Sequence, residues 1–523
     1  MEAPLDMGNE PTMDELIQEL ERQRALALHM GGPDKVARQH AEGKYTARER
    51  VARLVDGGTF VEMGMLNRSE YPGAYDKSPA DGLITGFAKI DGRPVMVEAT
   101  DKTVFAGAEG SVHVRKFRRM HELAHRRGLP IMNLAEGGGL RIPDGMGSDG
   151  ISENVFPMSL LTHARESPSI TGIMGDSYGM PTWCAVSSDH VVQVKGTCMS
   201  IAGPRMLEIA TSEHISPEEL GGWKLHAEHT GQADAFADND DDCIARMKAF
   251  LAYMPQNGGE APPFRETGDD PDRRLDEALK LVPTRMRRAY DMRKLIRLIV
   301  DDGEWLELKA DFGKALLTGL ARLGGRVVGI MASQPLYYAG ASGPLEADKA
   351  IEFICLCDSF NIPMVFLHDV PGFYIGAKAE RMKMPTKIMV WNQAIAMSTV
   401  PKISVVIRKS IGAAFANMCG AGMGNDFIVA WPGADINFTG PEVGVNVVYG
   451  RELAEAEDAE TRRAELLKQW AFESSPYKAA ARNYLDDIID PRDTRKYLCR
   501  TLDFACAKGS LSERRLANWP TGY

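Results

Sequence analysis

The chain repeats itself at an interval of 233 residues, and no other feature constrains its fold as much. Residues 83–97 read LITGFAKIDGRPVMV, and residues 316–330 read LLTGLARLGGRVVGI. Each stretch is an apolar run, a two-residue Asp-Gly or Gly-Gly turn and a second apolar run, which is the strongest short-range signature of a β-hairpin. The interval then holds without a gap: FAGAEG at 105–110 faces YAGASG at 338–343, Lys116 faces Lys349, Pro130 faces Pro363, and Ser177 and Gly179 face Ser410 and Gly412. Upstream, TFVEM at 59–63 resembles EWLEL at 304–308 at an interval of 245, and downstream Gly203-Pro204 resembles Gly440-Pro441 at 237. A run of matches this long is a duplicated domain.

Each copy has the same order of elements. A hairpin leads through a glycine-containing loop into a helix-like stretch, 112–127 in copy one and 347–361 in copy two. A short buried strand after a proline follows, 131–134 or 364–367, and opens into another loop. Strands alternating with helices predict an α/β fold of ββα units wound with one hand. The Pro-, Gly- and acid-rich stretch 256–275 predicts a linker, giving domains 1–255 and 276–523. A helical region over 15–53 precedes copy one, and Thr46 with Glu49 fits a capping box.

Composition narrows the function classes. A net charge of −11 argues against broad nucleic-acid or anionic-membrane binding. No apolar run is long enough to span a bilayer. The first residues carry Asp6, Glu10, Asp14, Glu15 and Glu19, unlike a signal or transit peptide, so a soluble cytoplasmic protein is expected. The eight cysteines are scattered without zinc-site spacing, so reduced thiols and no metal are expected.

Three segments could carry chemistry. In EGGGLRIPDGMGSDG, at 136–150, three glycines directly after a buried strand bare backbone N–H groups that could stabilise an oxyanion; the alternative is a tight turn. In copy two, RKSIGAAFANMCGAGMG at 408–424 is taken as its counterpart, with small residues Gly412, Ala413 and Ala414 closing an apolar run; tight helix–sheet packing is the alternative. Arg38, Lys44, Arg48 and Arg50 form a basic cluster that is either a solvated helix face or a seat for an anionic ligand such as the phosphates of coenzyme A. Glu136, His368 and Asp369 are the acid–base candidates, but no Ser-His-Asp set or G-x-S-x-G elbow is present. Met382-Lys383-Met384 lacks the preceding alanine of a biotin-carrier motif and lies inside copy two, so Lys383 is not expected to carry biotin.

Several stretches together resemble the carboxyltransferase subunit family of biotin-dependent acyl-CoA carboxylases, of the propionyl-CoA and methylcrotonyl-CoA carboxylase type. They are AEGKYTARERVARLVDGGTFVE at 41–62, TVFAGAEGSVH at 103–113, EELGGWKLHAEHTG at 218–231, DPDRR at 270–274, YDMRKLIRLIVDDGEWLE at 290–307, SQPLYYAG at 333–340, DSFNIPMVFLHDVPGF at 358–373 and AWPGADI at 430–436. The similarity runs from about Glu15 to Leu511 and is specific because these stretches fall in this order across both copies.

The resemblance implies a tandem of crotonase-like (ClpP/crotonase) domains, with an active site formed between the N-domain of one subunit and the C-domain of another. It carries one oxyanion hole onto Gly138 and Gly139 and the other onto Ala413 and Ala414, serving a thioester enolate and the ureido oxygen of biotin in an order left open. It places cofactor contacts at Arg38, Lys44 and Arg48, at Ala106 and Gly107, at Ala339 and Gly340, and at Gly372 and Phe373, with Ala416 influencing acyl choice. The implied chemistry needs no side-chain base: carboxybiotin releases CO2, the freed biotin nitrogen takes the α-proton, and the enolate attacks CO2. The implied cofactors are biotin on a partner carrier and a coenzyme A thioester. The implied partners are a biotin carboxylase with its carrier and further copies of the chain, as a dimer or hexamer. Departures at 377–387 (AKAERMKMPTK) and 175–183 (GDSYGMPTW) leave the acyl group and the direction open. The alternatives are the carboxyltransferase subunit of an acyl-CoA decarboxylase and a non-catalytic scaffold for a biotin carrier.

Overall fold

Both turn residues of each predicted hairpin take positive φ, at Asp91 (49°) and Gly92 (77°) in copy one and at Gly324 (57°) and Gly325 (81°) in copy two. That backbone matches the natural twist of paired strands. The computed structural model of the chain describes residues 10–154, 162–506 and 511–519. It divides into two compact units: 1–163 with 169–225 and 236–248, and 164–168 with 226–235 and 249–523.

In the first unit the strands are β1 (Val61–Met63), β2 (Leu83–Ile90), β3 (Arg93–Thr100), β4 (Ile131–Ala135), β5 (Ser169–Ile173), β6 (Ser177–Tyr178), β7 (His190–Val194), β8 (Met199–Ser200) and β9 (Ala235–Ala237). The sheet runs β1-β2-β3-β4-β5-β7-β9, with β6 and β8 paired apart. The second unit holds β10 (Trp305–Leu308), β11 (Leu316–Leu323), β12 (Arg326–Ser333), β13 (Met364–Val370), β14 (Lys402–Ile411), β15 (Phe427–Ala430), β16 (Asp435–Asn437) and β17 (Asp487–Ile488). Its order is β10-β11-β12-β13-β14-β15-β17, with β16 beside β14.

The two sheets share one register. Met96 pairs with Ile131 and Ile131 with Ser169; Gly329 pairs with Met364 and Met364 with Lys402, each displaced by the sequence interval. The predicted helices are Ser111–Arg127 and Pro344–Ser359. β4 and β13 are fully buried runs, as parallel central strands must be.

The repeat reaches further upstream than the hairpins. The helix Ala47–Leu54 is matched by Met292–Ile299 at the 245 interval. Thr46 caps the first, with its capping box formed, and Asp291 caps the second. Arg48 is paired with Glu62, and Arg293 with Glu307. Asp56 accepts the N–H groups of turn residues Asp91 and Gly92; Asp301 accepts those of Gly324 and Gly325. The stretch 256–275, expected as a linker, is instead laid onto the second unit. Arg265 N–H donates to Gly325, and Arg495 binds the carbonyls of Asp269 and Asp270. All eight cysteines are free thiols.

Candidate active site

The loops that leave the central strands are held by strained turns just behind them. Phe105 and Ala106 have φ of 48° and 56°, and Tyr338 and Ala339 repeat this at 48° and 55°. Such backbone costs about 1–3 kcal/mol per residue and persists only where the surroundings impose it. Gly107 and Gly340 close the turns so tightly that a Cβ on either would collide with a carbonyl, that of Glu136 or of Asp369. Only glycine lets the turn approach the strand end this closely.

Beyond β4, Gly137, Gly138 and Gly139 run past this turn. Glu109 N–H donates to Gly139 O at 2.9 Å, and Arg141 N–H donates to Glu109 O at 2.7 Å. Gly139 has φ of 77°, and a Cβ there would lie 2.8 Å from Tyr178 O. Among the described residues, the N–H groups of Gly138 and Gly139 bond to no protein acceptor. Beyond β14, Gly412 turns at φ 68° and the short helix Ala414–Asn417 begins. The N–H groups of Ala413 and Ala414 are equally bare.

These two glycine- and alanine-rich segments are not counterparts of each other, contrary to the sequence expectation. Glu109 bridges to Leu140, and its match Ser342 bridges to Phe373, so the structural partner of Gly139 is Gly372. Gly179, at φ 70°, matches Gly412. The consequence is chemical. The match of Gly138 is Pro371, and the match of Ala414 is Pro181. Proline has no N–H. Each unit therefore keeps a full pair of bare donors in one of its two loops and loses a donor to proline in the other.

The acid–base candidates are occupied. Glu136 is buried and accepts from Arg50 at 2.6 Å, Gln39 at 2.9 Å and Lys44 at 3.3 Å. Burial alone would push its carboxyl up, but the Arg50 and Lys44 charges hold it below the usual carboxylate range. Asp369 accepts from Arg408 at 2.7 Å. His368 shares a 2.9 Å bond with Ser410, and burial lowers it to about 3, so it is neutral. Of the basic cluster, Arg38 is exposed, Lys44 is half-buried on Glu136, Arg48 is committed to Glu62, and Arg50 is sealed between Glu136 and Asp240. Gly372 and Phe373 are half-buried beyond β13, where the Phe373 ring meets Trp391 edge-on at 6.4 Å. Ala416 lies half-buried on the short helix. Sequence reasoning missed the two prolines, although the 233 interval alone superposes them on Gly138 and Ala414.

Residues 38–516 match the carboxyl transferase domain family. The carboxyltransferase subunit of propionyl-CoA carboxylase from Haloferax mediterranei is 37% identical over 499 residues, covering 94% of this chain and 96% of that one. The alpha subunit of methylmalonyl-CoA decarboxylase from Veillonella parvula is 35% identical over 501 residues, covering 95% and 97%. The crystal structure of the transcarboxylase 12S hexamer, with methylmalonyl-CoA bound, superposes with a TM-score of 0.90 at 35% identity over 96% of this chain and 97% of that one. With its duplicated crotonase-like fold, this chain belongs to the carboxyl transferase family, a family of carboxyltransferase enzymes.

Proposed function

We propose that the chain is the carboxyltransferase subunit of a biotin-dependent acyl-CoA carboxylase, moving a carboxyl group from carboxybiotin on a partner carrier to the α or vinylogous carbon of an acyl-CoA. One observation carries this reading: each unit presents one intact pair of bare backbone donors, Gly138–Gly139 in the first and Ala413–Ala414 in the second. Fixed N–H dipoles aimed at charge that develops during reaction supply the largest single share of many rate enhancements. The occupied states of Glu136, His368 and Asp369 fit a mechanism that asks no side chain to act as base.

The loops fit ligands that must approach backbone. At Gly138 a side chain would fill the space beside Ala106 O, at 3.4 Å, and at Gly372 a Cβ meets nothing within 4 Å. Biotin, when bound, supplies the carboxyl group and a ureido nitrogen able to take the α-proton. The residues of this chain hold the thioester oxygen and the ureido oxygen at the two donor pairs and keep the reacting groups apart from water. This reading assigns the coenzyme A phosphates to Arg38, which is exposed, and to Lys44, which is half-buried, and Ala106 and Ala339 present strained turns beside the loops. Assembly into a hexamer or dimer and dependence on a biotin carboxylase partner belong to this reading, as does a cytoplasmic location. Among the described residues no helix is long and apolar enough to cross a membrane.

The decisive experiment transplants the chain's own prolines. Gly138→Pro copies Pro371 and Ala414→Pro copies Pro181, so each residue is tolerated at the matched position of the same fold. Ala414 is also the first helical residue, where proline is favoured. With a carboxylated biotin-carrier partner and an acyl-CoA panel, each variant is expected to lose about 10²- to 10³-fold in transfer rate. Two folded variants with near-wild-type rates would remove the assignment. The same assay run from a 2-carboxyacyl-CoA separates carboxylase from decarboxylase direction.

A further inference from the structure

Glu109 sits directly behind the Gly138–Gly139 loop and has no role in the reading above. It is 4% exposed, and its carboxyl has no hydrogen-bond or ion-pair partner among the described residues, with Oε2 sealed from solvent. Its backbone, by contrast, is the zip that fixes the loop, through Gly139 O and Arg141 N. The matched residue in copy two, Ser342, makes the same two backbone bonds with Gly372 and Tyr374 but carries no acid. Glu109 is thus an ionisable group added to one copy of a duplicated joint.

The surroundings decide its charge state. From β3 comes Glu98, 2% exposed and bound to His121 of the helix Ser111–Arg127 at 3.2 Å. From the helix Met180–Val186 comes the Cys184 thiol, which burial and the two carboxyls push well up. His113 on the same helix as His121 is neutral, its backbone and ring bound to Asp81. The Arg141 guanidinium is spent on Asp81, Ser69 and Asp144. Among the described residues no hydrogen-bond donor or ion-pair partner reaches the Glu109 carboxyl, and a carboxylate buried without one is strongly disfavoured. Burial first, and Glu98 second, push it up to about 8.

We infer that Glu109 is a positioning residue for the Gly138–Gly139 donor pair: as an uncharged acid it lets the loop zip onto residue 109, and its ionisation beside Glu98 opens the zip and disables the pair. The inference rests on the proposed role of that pair. It predicts an alkaline limit to activity that belongs to one side chain. The linkage sign agrees. The unfolded acid titrates near 4.5 and the folded one near 8, so its contribution to stability is fully present below 4.5 and is lost as the pH rises through about 8.

The test compares the full-length protein with Glu109→Gln, which is isosteric and never charged, and with Glu109→Ser, the residue copy two already carries. Transfer rate is followed from pH 6.5 to 9.5, and amide exchange of the 136–141 segment, corrected for intrinsic rates, is followed over the same range. Above the midpoint the wild-type rate should fall about tenfold per pH unit, with segment protection falling in step, as a single ionisation requires. The ratio of rates at pH 9 and pH 7 should rise about tenfold in Glu109→Gln. An unchanged alkaline limb in both variants, or wild-type exchange that ignores pH, overturns the inference. A wild-type protein without transfer at any pH defeats the proposed function instead, and the exchange profile still decides the role of Glu109.

Discussion

The ends of the two central strands solve one electrostatic problem in two ways. Both copies place a buried carboxylate at the first residue of the loop or the last turn of the strand, Glu136 and Asp369, and both clamp it with an arginine. In copy one the arginine is Arg50, on the flanking helix Ala47–Leu54; the matched helix of copy two has Leu295 there. In copy two it is Arg408, on β14; the match in copy one is Gly175, where any Cβ would collide with the Glu136 carboxylate. The position of the carboxylate is common to the repeat, and the source of its partner is not. Each clamp nevertheless draws the same flanking segment over its loop. Gln39 and Lys44 reach Glu136, and Arg408 binds the carbonyls of Pro283, Arg285 and Arg288 and stacks on Tyr290, the match of Tyr45. Each clamp commits its carboxylate to an arginine, and that explains why these acids are unavailable as bases.

Breaking one clamp should have the largest effect. Arg50→Leu installs the residue copy two carries and leaves buried Glu136 with only Gln39 and Lys44, and buried Asp240 without its arginine, a loss of about 3–5 kcal/mol. Chemical denaturation measures it. Arg408→Leu should cost a similar amount because Asp369 is fully buried. If Arg50→Leu were neutral, the carboxylate would not depend on its arginine, and the equivalence of the two clamps would fail.

A smaller effect sharpens the comparison where the copies agree. Lys116 donates to the carbonyls of Gly64, Ala80 and Leu83, and Lys349 donates to those of Lys309, Phe312 and Leu316. Both tie the chain entering the hairpin to the helix behind it. Lys116→Met or Lys349→Met removes the donor from three carbonyls, and with water taking over part of that role each variant is expected to lose about 1–3 kcal/mol in all. Equal shifts in thermal midpoint of the two variants are expected; a silent Lys116 variant would show that only the second latch matters.

These lysines also show what was legible. Their alignment, the hairpins, the central strands and the Thr46 cap could all be read because they depend on local pattern and the repeat interval. The clamps could not, because Arg50 and Gly175 are complementary only in space and carry no shared spacing with Glu136. The donor loops are not legible from composition: Gly137–Gly139 and Gly412–Ala414 are alike in their small residues, but the 233 interval pairs each with a proline-containing loop instead. Arg48 looked like part of an anion seat because its partner, Glu62, lies on β1 beyond an intervening loop.

The smallest expected effect concerns acyl choice. Ala416 stands two residues past the Ala413–Ala414 pair on a single helical turn. Its neighbours are both engaged elsewhere: Phe415 packs edge-on against His368 at 6.3 Å, and Asn417 is buried, donating to Ile388 O at 3.0 Å. Under the proposed function, the Ala416 methyl is the side chain this turn offers to an acyl chain. A methyl leaves room where a carboxylate would both fill space and demand water. Each additional buried methylene contributes about 0.8 kcal/mol, or about fourfold in kcat/KM. Butyryl-CoA should then exceed acetyl-CoA by about tenfold in the wild-type protein, and Ala416→Asp should erase most of that ratio while leaving propionyl-CoA a substrate. A wild-type preference for acetyl-CoA would remove Ala416 as a determinant, and the family membership would stand without it.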